Sequence, residues 1–105
     1  MAEFKVEFLP AANEDLNEIF DYILLENPAA AEEILEKIIS ALNHLRTFPH
    51  AGIKLTQVSV EHFQFRMVVI KPYIAFYRFI DDKVLIYRIL HEARDAINIL
   101  KDLKY

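Results

Sequence analysis

The sequence predicts an α+β domain: an antiparallel helical hairpin packed on a small, mainly antiparallel sheet, in the order β-α-α-β-β-β-α. Three observations carry this. Residues 65–95, FRMVVIKPYIAFYRFIDDKVLIYRILHEARD, are dominated by Val, Ile, Phe and Tyr, which suit a pleated, half-buried surface. Two long stretches before them repeat apolar residues at helical spacing. Near the start, Phe4, Val6 and Phe8 alternate with Lys5 and Glu7, the period of a strand.

Taken in order, the first strand ends at Pro10, which lacks an N–H and so suits the first turn of a helix. Leu16, Ile19, Phe20, Ile23 and Leu24 make one stripe of a helix over 11–26, with Asp15, Glu18 and Asp21 placed off it. Asn27-Pro28 is both a break and a restart, because Asn27 can accept from free N–H groups of a second helix whose first position Pro28 fits. Ala31, Ile34, Leu35, Ile38, Leu42 and Leu45 stripe that helix to about Thr47. So short a link makes the two helices an antiparallel hairpin. Pro49 then disfavours helical geometry at Phe48, and Gly52, the sole glycine, permits a positive φ.

Residues 53–64 allow two readings: Lys54 and His62 lining a groove, or Thr56, Val58 and Val60 in an edge strand. Lys71-Pro72 and Asp81-Asp82-Lys83 divide the apolar stretch beyond them into strands at about 65–70, 73–80 and 83–91. Ile97, Leu100 and Leu103 suggest a C-terminal helix over 93–105. The partner of the first strand is not given by pattern. The hairpin is expected to cover one face of the sheet, leaving the cationic side chains for function on the other.

Composition excludes several classes. The 105 residues are read as one domain, 1–105. With no cysteine there is no disulfide, thiolate chemistry or zinc–thiolate site, and the four histidines show no metal-binding spacing. No cofactor is expected. No run is long and apolar enough to span a membrane. Three charges among the first seven residues are unlike a signal peptide, and a cytoplasmic location is expected. The net charge of −4 hides an asymmetry. Residues 1–45 hold ten acidic and two basic residues, whereas residues 46–105 hold six acidic and ten basic. That basic bias is weak for a nucleic-acid binder.

Four segments, taken in this order, resemble the ParE/RelE superfamily, the toxins of type II toxin–antitoxin modules. They are EDLNEIFDYILLENPAAAEEIL in the hairpin, HLRTFPHAG at its exit, FRMVVIKPYIAFYRF in the central strands and VLIYRILHEARD at the end. The resemblance covers essentially the whole chain. It implies the ParE/RelE fold and a cognate antitoxin bound in a hetero-oligomer. RelE-like members cut mRNA in the ribosomal A site, and ParE-like members inhibit DNA gyrase. The RILHEARD ending, the long hairpin and FPHAG look like ParE and the related plasmid-stabilisation proteins. Where RelE-like nucleases carry a basic segment and a C-terminal tyrosine, this chain has Glu92 and Asn98 at the corresponding positions. A carboxylate there would repel a scissile phosphate. The expected function is therefore a ParE-like toxin that inhibits gyrase without catalysing a reaction. The alternatives are a RelE-like, ribosome-dependent endoribonuclease and a non-toxic binding module that keeps the fold.

Arg66, Arg88, His91 and Arg94 are the candidate target-binding residues. In the nuclease alternative, Arg66 stabilises the phosphorane and His91 is the acid or base, with Arg88 or Lys54 as further cationic help. Each has a plainer structural reading. Arg66 fits a rim arginine whose stem covers the sheet edge. Arg88, in the most buried strand, must be paired, to Asp95 or to a helix carboxylate. His91 fits a cap or a backbone contact, and Arg94 with Asp95 a pair at a helix start. Strict alternation puts Arg88 and His91 on opposite faces unless the strand bulges. Tyr73 and Tyr77 share a face and suit packing better than stacking on a ligand.

Overall fold

The computed structural model describes residues 3–55 and 64–91. Seven elements succeed one another: β1 (Lys5–Phe8), α1 (Pro10–Glu26), α2 (Pro28–His44), β2 (Ile53–Lys54), β3 (Arg66–Ile70), β4 (Tyr73–Ile80) and β5 (Lys83–His91). This is the predicted α+β architecture, with the short β2 added as an edge strand. The helix expected over 93–105 and most of 53–64 lie outside the described residues.

The five strands are ordered β1-β5-β4-β3-β2. β3, β4 and β5 are consecutive antiparallel neighbours, as their turn signals predict. β1 pairs parallel with β5, Lys5 opposite Lys83 and Phe8 opposite Ile86, so the sheet is mixed. A parallel pair needs a long connection, and the hairpin and three strands supply it. The turn between β4 and β5 is tight, with Asp81 at φ 58°, a region that Asp tolerates better than most residues.

α1 starts at Pro10, as expected, and the hairpin turns on Asn27. Its N–H closes α1 on the Ile23 carbonyl, while its side-chain oxygen accepts from the Ala30 N–H of α2 at 3.3 Å. Asn27→Ala is expected to lower stability by about 1 kcal/mol, moving the thermal midpoint down by roughly 4–8 °C. A midpoint unchanged in thermal unfolding would show that the cap carries no weight. α2 ends at His44 rather than Thr47, because the chain tightens there. Leu45, Arg46 and Thr47 donate to carbonyls three residues back, at 3.1–3.2 Å.

The core lies between hairpin and sheet. Ala12, Ile23, Ala31, Ile38 and Leu42 of the helices meet Tyr73, Ala75, Tyr77, Val84, Ile86 and Ile89 of the strands. A second apolar cluster, Leu55, Phe65, Phe76, Tyr87 and Leu90, lies on the opposite face. Leu24, expected on the buried stripe, is instead exposed. Asp15, expected off the stripe, is buried.

One irregularity bears on the candidate site. Tyr77 faces Ile86 but Phe76 faces Arg88, which leaves Tyr87 as an extra residue in β5. This bulge reverses the alternation. Even-numbered Val84 and Ile86 pack under the helices before it, and odd-numbered Ile89 after it.

Candidate functional site

Two polar anchors, both outside the pattern of the apolar stripes, hold the strands that carry the candidate residues. The first fixes the hairpin exit. Tyr77, fully buried, donates its hydroxyl to the Pro49 carbonyl at 2.7 Å and accepts from the Gly52 N–H at 2.8 Å. Burial lifts the Tyr77 phenol above its ordinary pKa, against the opposing effects of the Gly52 N–H and the Arg66 charge. It therefore remains a neutral donor. Arg66 Nη1 donates to the carbonyls of Gly52 at 2.9 Å and His50 at 3.3 Å, and its guanidinium lies 5.7 Å from the Phe79 ring centroid. Gly52 does not use the positive φ open to it. Its role is room, because a Cβ there would meet the Tyr77 hydroxyl and ring.

The second anchor joins α1 to β5. Asp15 accepts from Arg88 Nε at 2.6 Å and Nη2 at 2.9 Å, and from the Ile89 N–H at 3.0 Å. The bidentate pair with Asp15 raises the pKa of Arg88, with Glu18 and Glu14 adding to it. The helix carboxylate anticipated for Arg88 is thus Asp15, and it sits at the bulge.

These contacts correct the expectation that the cationic groups point away from the hairpin. Arg66 is tied to the loop that leaves α2, Arg88 to α1, and the His91 ring lies 5.7 Å from that of Tyr73, a member of the core under the helices. Lys54 stands opposite Arg66 across β2 and β3 and is exposed. Arg94 lies outside the described residues. Arg78 is not among the residues that the sequence singles out for a site. Its contacts are on the other face, with the Phe65 ring at 5.7 Å and the Tyr87 hydroxyl at 3.4 Å. Period 2 from Phe76 is the signal that places it there.

The candidates also stand apart along the sheet. Arg66 is opposite Tyr77 and His91 opposite Tyr73, on the two strands that flank β4. Four residues of strand rise and two strand spacings separate their backbones by about 16 Å. The bulge precedes Arg88, so between Arg88 and His91 the strand keeps its ordinary alternation: Arg88 starts opposite Phe76 on the far face and reaches back to Asp15, whereas His91 starts opposite Tyr73 on the helix side. Among the described residues no group of three His, Cys, Asp or Glu could hold a metal ion, and no helix is long and apolar enough to cross a membrane.

The family of ParE toxins of type II toxin–antitoxin systems matches residues 6–96. This chain belongs to the ParE toxin family. The family toxin is the poison half of a two-protein module, and the fold agrees. A chain of the chromosomal ParDE toxin–antitoxin system of P. aeruginosa superposes with a TM-score of 0.69 at 18% identity, over 85% of this chain and 96% of that one. A chain of the toxin–antitoxin complex RelBE2 of Mycobacterium tuberculosis gives 0.62 at 23% identity, over 90% and 97%. No curated protein sequence matches.

Proposed function

We propose that this ParE-family toxin acts by binding and inhibiting DNA gyrase, without catalysis of its own, and is neutralised by a cognate antitoxin in the cytoplasm. The observation that supports this most is the separation of Arg66 from His91. Cleavage of an RNA phosphodiester needs cationic stabilisation and proton transfer at one phosphate, with each group at hydrogen-bonding reach. Their backbones are about 16 Å apart, and the side chains lean away from each other, Arg66 toward Phe79 and the Gly52 carbonyl and His91 toward Tyr73, so they do not meet at one phosphate. Arg88, one of the two further cations named for such a site, is engaged by Asp15 on two nitrogens. In this reading Arg66, His91 and Arg94 meet the target, and Arg88 braces β5 from the hairpin side.

Purified toxin is expected to block supercoiling by gyrase, and mRNA on translating ribosomes is expected to stay intact. His91→Ala should keep inhibition within about threefold. A catalytic acid or base would lose about 100-fold or more on the same change. Normal supercoiling at saturating toxin, with cuts inside codons that vanish in His91→Ala, would reverse the assignment in favour of the ribosome.

A further inference from the structure

Residues 45–52, which lead from α2 to β2, are tied down through their backbone while most of their side chains stay exposed. The Phe48 N–H donates to the His44 carbonyl and the Ala51 N–H to the Phe48 carbonyl, each at 3.1 Å. Tyr77 engages the Pro49 carbonyl and the Gly52 N–H, and Arg66 the carbonyls of His50 and Gly52. A connection of this length closes without a buried tyrosine and without a glycine that no Cβ can replace. Such fixing suits a binding loop on a rigid scaffold, where the cost of ordering is met before the partner arrives.

What the loop displays is apolar at its centre. Phe48 is 54% exposed, and its ring is tilted against that of His44 with centroids 4.8 Å apart. Both line an open depression of about 440 Å³, together with Pro49, His50 and Ala51. A large exposed aromatic held beside a hollow is the kind of apolar patch that marks an interaction site.

The rim of the hollow is cationic. The His50 ring rests on Phe79 with centroids 4.5 Å apart, and the Arg66 guanidinium approaches the same ring. Lys54 is the cross-strand neighbour of Arg66 and shares its face. Among the described residues neither cation pairs with a carboxylate. The chain holds 16 acidic residues, yet none falls from Lys37 to Val60. The carboxylate that does reach this loop, Glu3, is already engaged by Arg46 at 3.1 Å and Thr47 at 3.4 Å.

We infer that this loop is the toxin's grip on its target: an acidic protein segment sets an apolar side chain against Phe48 and its carboxylates against Lys54 and Arg66. The inference rests on the gyrase reading and locates the toxin's side of that contact. Two cations are too few to follow a nucleic-acid backbone, which is held phosphate by phosphate. An aromatic anchor in a hollow with charge at its rim is instead the anatomy of a protein interface.

The test uses the full toxin and purified gyrase, with binding measured by calorimetry in the absence and presence of DNA. Phe48→Glu is expected to weaken binding and supercoiling inhibition by about tenfold or more, with the thermal midpoint of the free toxin nearly unchanged. Lys54→Glu should cost about fivefold and flatten the salt dependence. Leu25→Glu, at an 86% exposed position on α1, should stay within about twofold of wild type. Hydroxyl-radical footprinting of wild-type toxin, which no misfolded variant can confuse, should show Phe48 protected by gyrase. Full-affinity binding by Phe48→Glu, or an unprotected Phe48, would overturn the docking loop and leave the gyrase reading intact. Losses seen only when DNA is present would overturn it in favour of a nucleic-acid contact. Wild-type toxin that neither binds nor inhibits gyrase would overturn both.

Discussion

Asp15→Ala is expected to lower the unfolding free energy by about 3 kcal/mol, the largest loss of any change to a carboxylate of α1 or α2. The carboxylate is 10% exposed at its side chain and Arg88 is 23% exposed, so removing it leaves a largely buried cation and the Ile89 N–H unsatisfied. That penalty, rather than the attraction between the charges, dominates. Replacing both partners with leucine should therefore recover most of the loss, since two apolar groups leave no charge behind. Urea unfolding of the two single variants and the double variant separates these terms. If the double variant is as unstable as Asp15→Ala, the pair is not the cause and packing of α1 is.

Gly52→Ala is expected to cost about 2–3 kcal/mol through overpacking. The new Cβ would sit 2.6 Å from Tyr77 Cε1 and 2.8 Å from the Met67 carbonyl oxygen, and would also meet the Tyr77 hydroxyl. Tyr77 is fully buried and cannot swing aside. The backbone carbonyl cannot give either, since β3 is paired on both sides. Tyr77→Phe should lose about 2 kcal/mol by a different route, orphaning the Gly52 N–H and one Pro49 carbonyl. In both variants the loop carbonyls that hold Arg66 shift, so target binding should fall along with stability. A wild-type denaturation midpoint for Gly52→Ala would mean that the loop relaxes freely, and that Arg66 is not held by it.

The elements of this fold are legible in the sequence because each has a local cause. Apolar spacing, Pro10, Asn27-Pro28 and the two strand breaks are read within a few residues of where they act. The features that escape it depend on partners far away. Asp15 looks like a surface carboxylate until Arg88, 73 positions later, is beside it. Gly52 permits a positive φ that it does not take, and the constraint that requires glycine there is steric and comes from Tyr77. The parallel partner of β1 leaves no periodic mark. Among the site residues, sequence places Arg66, Arg88 and His91 on strands but does not orient them, because the bulge at Tyr87 resets the faces in β5 and distant loop carbonyls hold Arg66.

The pairing of β1 with β5 has a consequence for how the toxin comes into being. The two strands are the earliest and latest described elements of the chain, and β5 must be in place before β1 has a neighbour. Such distant closure is slow relative to local hairpin formation, because the entropy of the intervening loop is lost before the contact forms. During synthesis, a nascent chain that has not yet released residues 83–91 has its helical hairpin but neither the Asp15 anchor nor a neighbour for β1. The Asp15 anchor and the β1–β5 pair thus form only with the last described strand, after most of the polypeptide has been made.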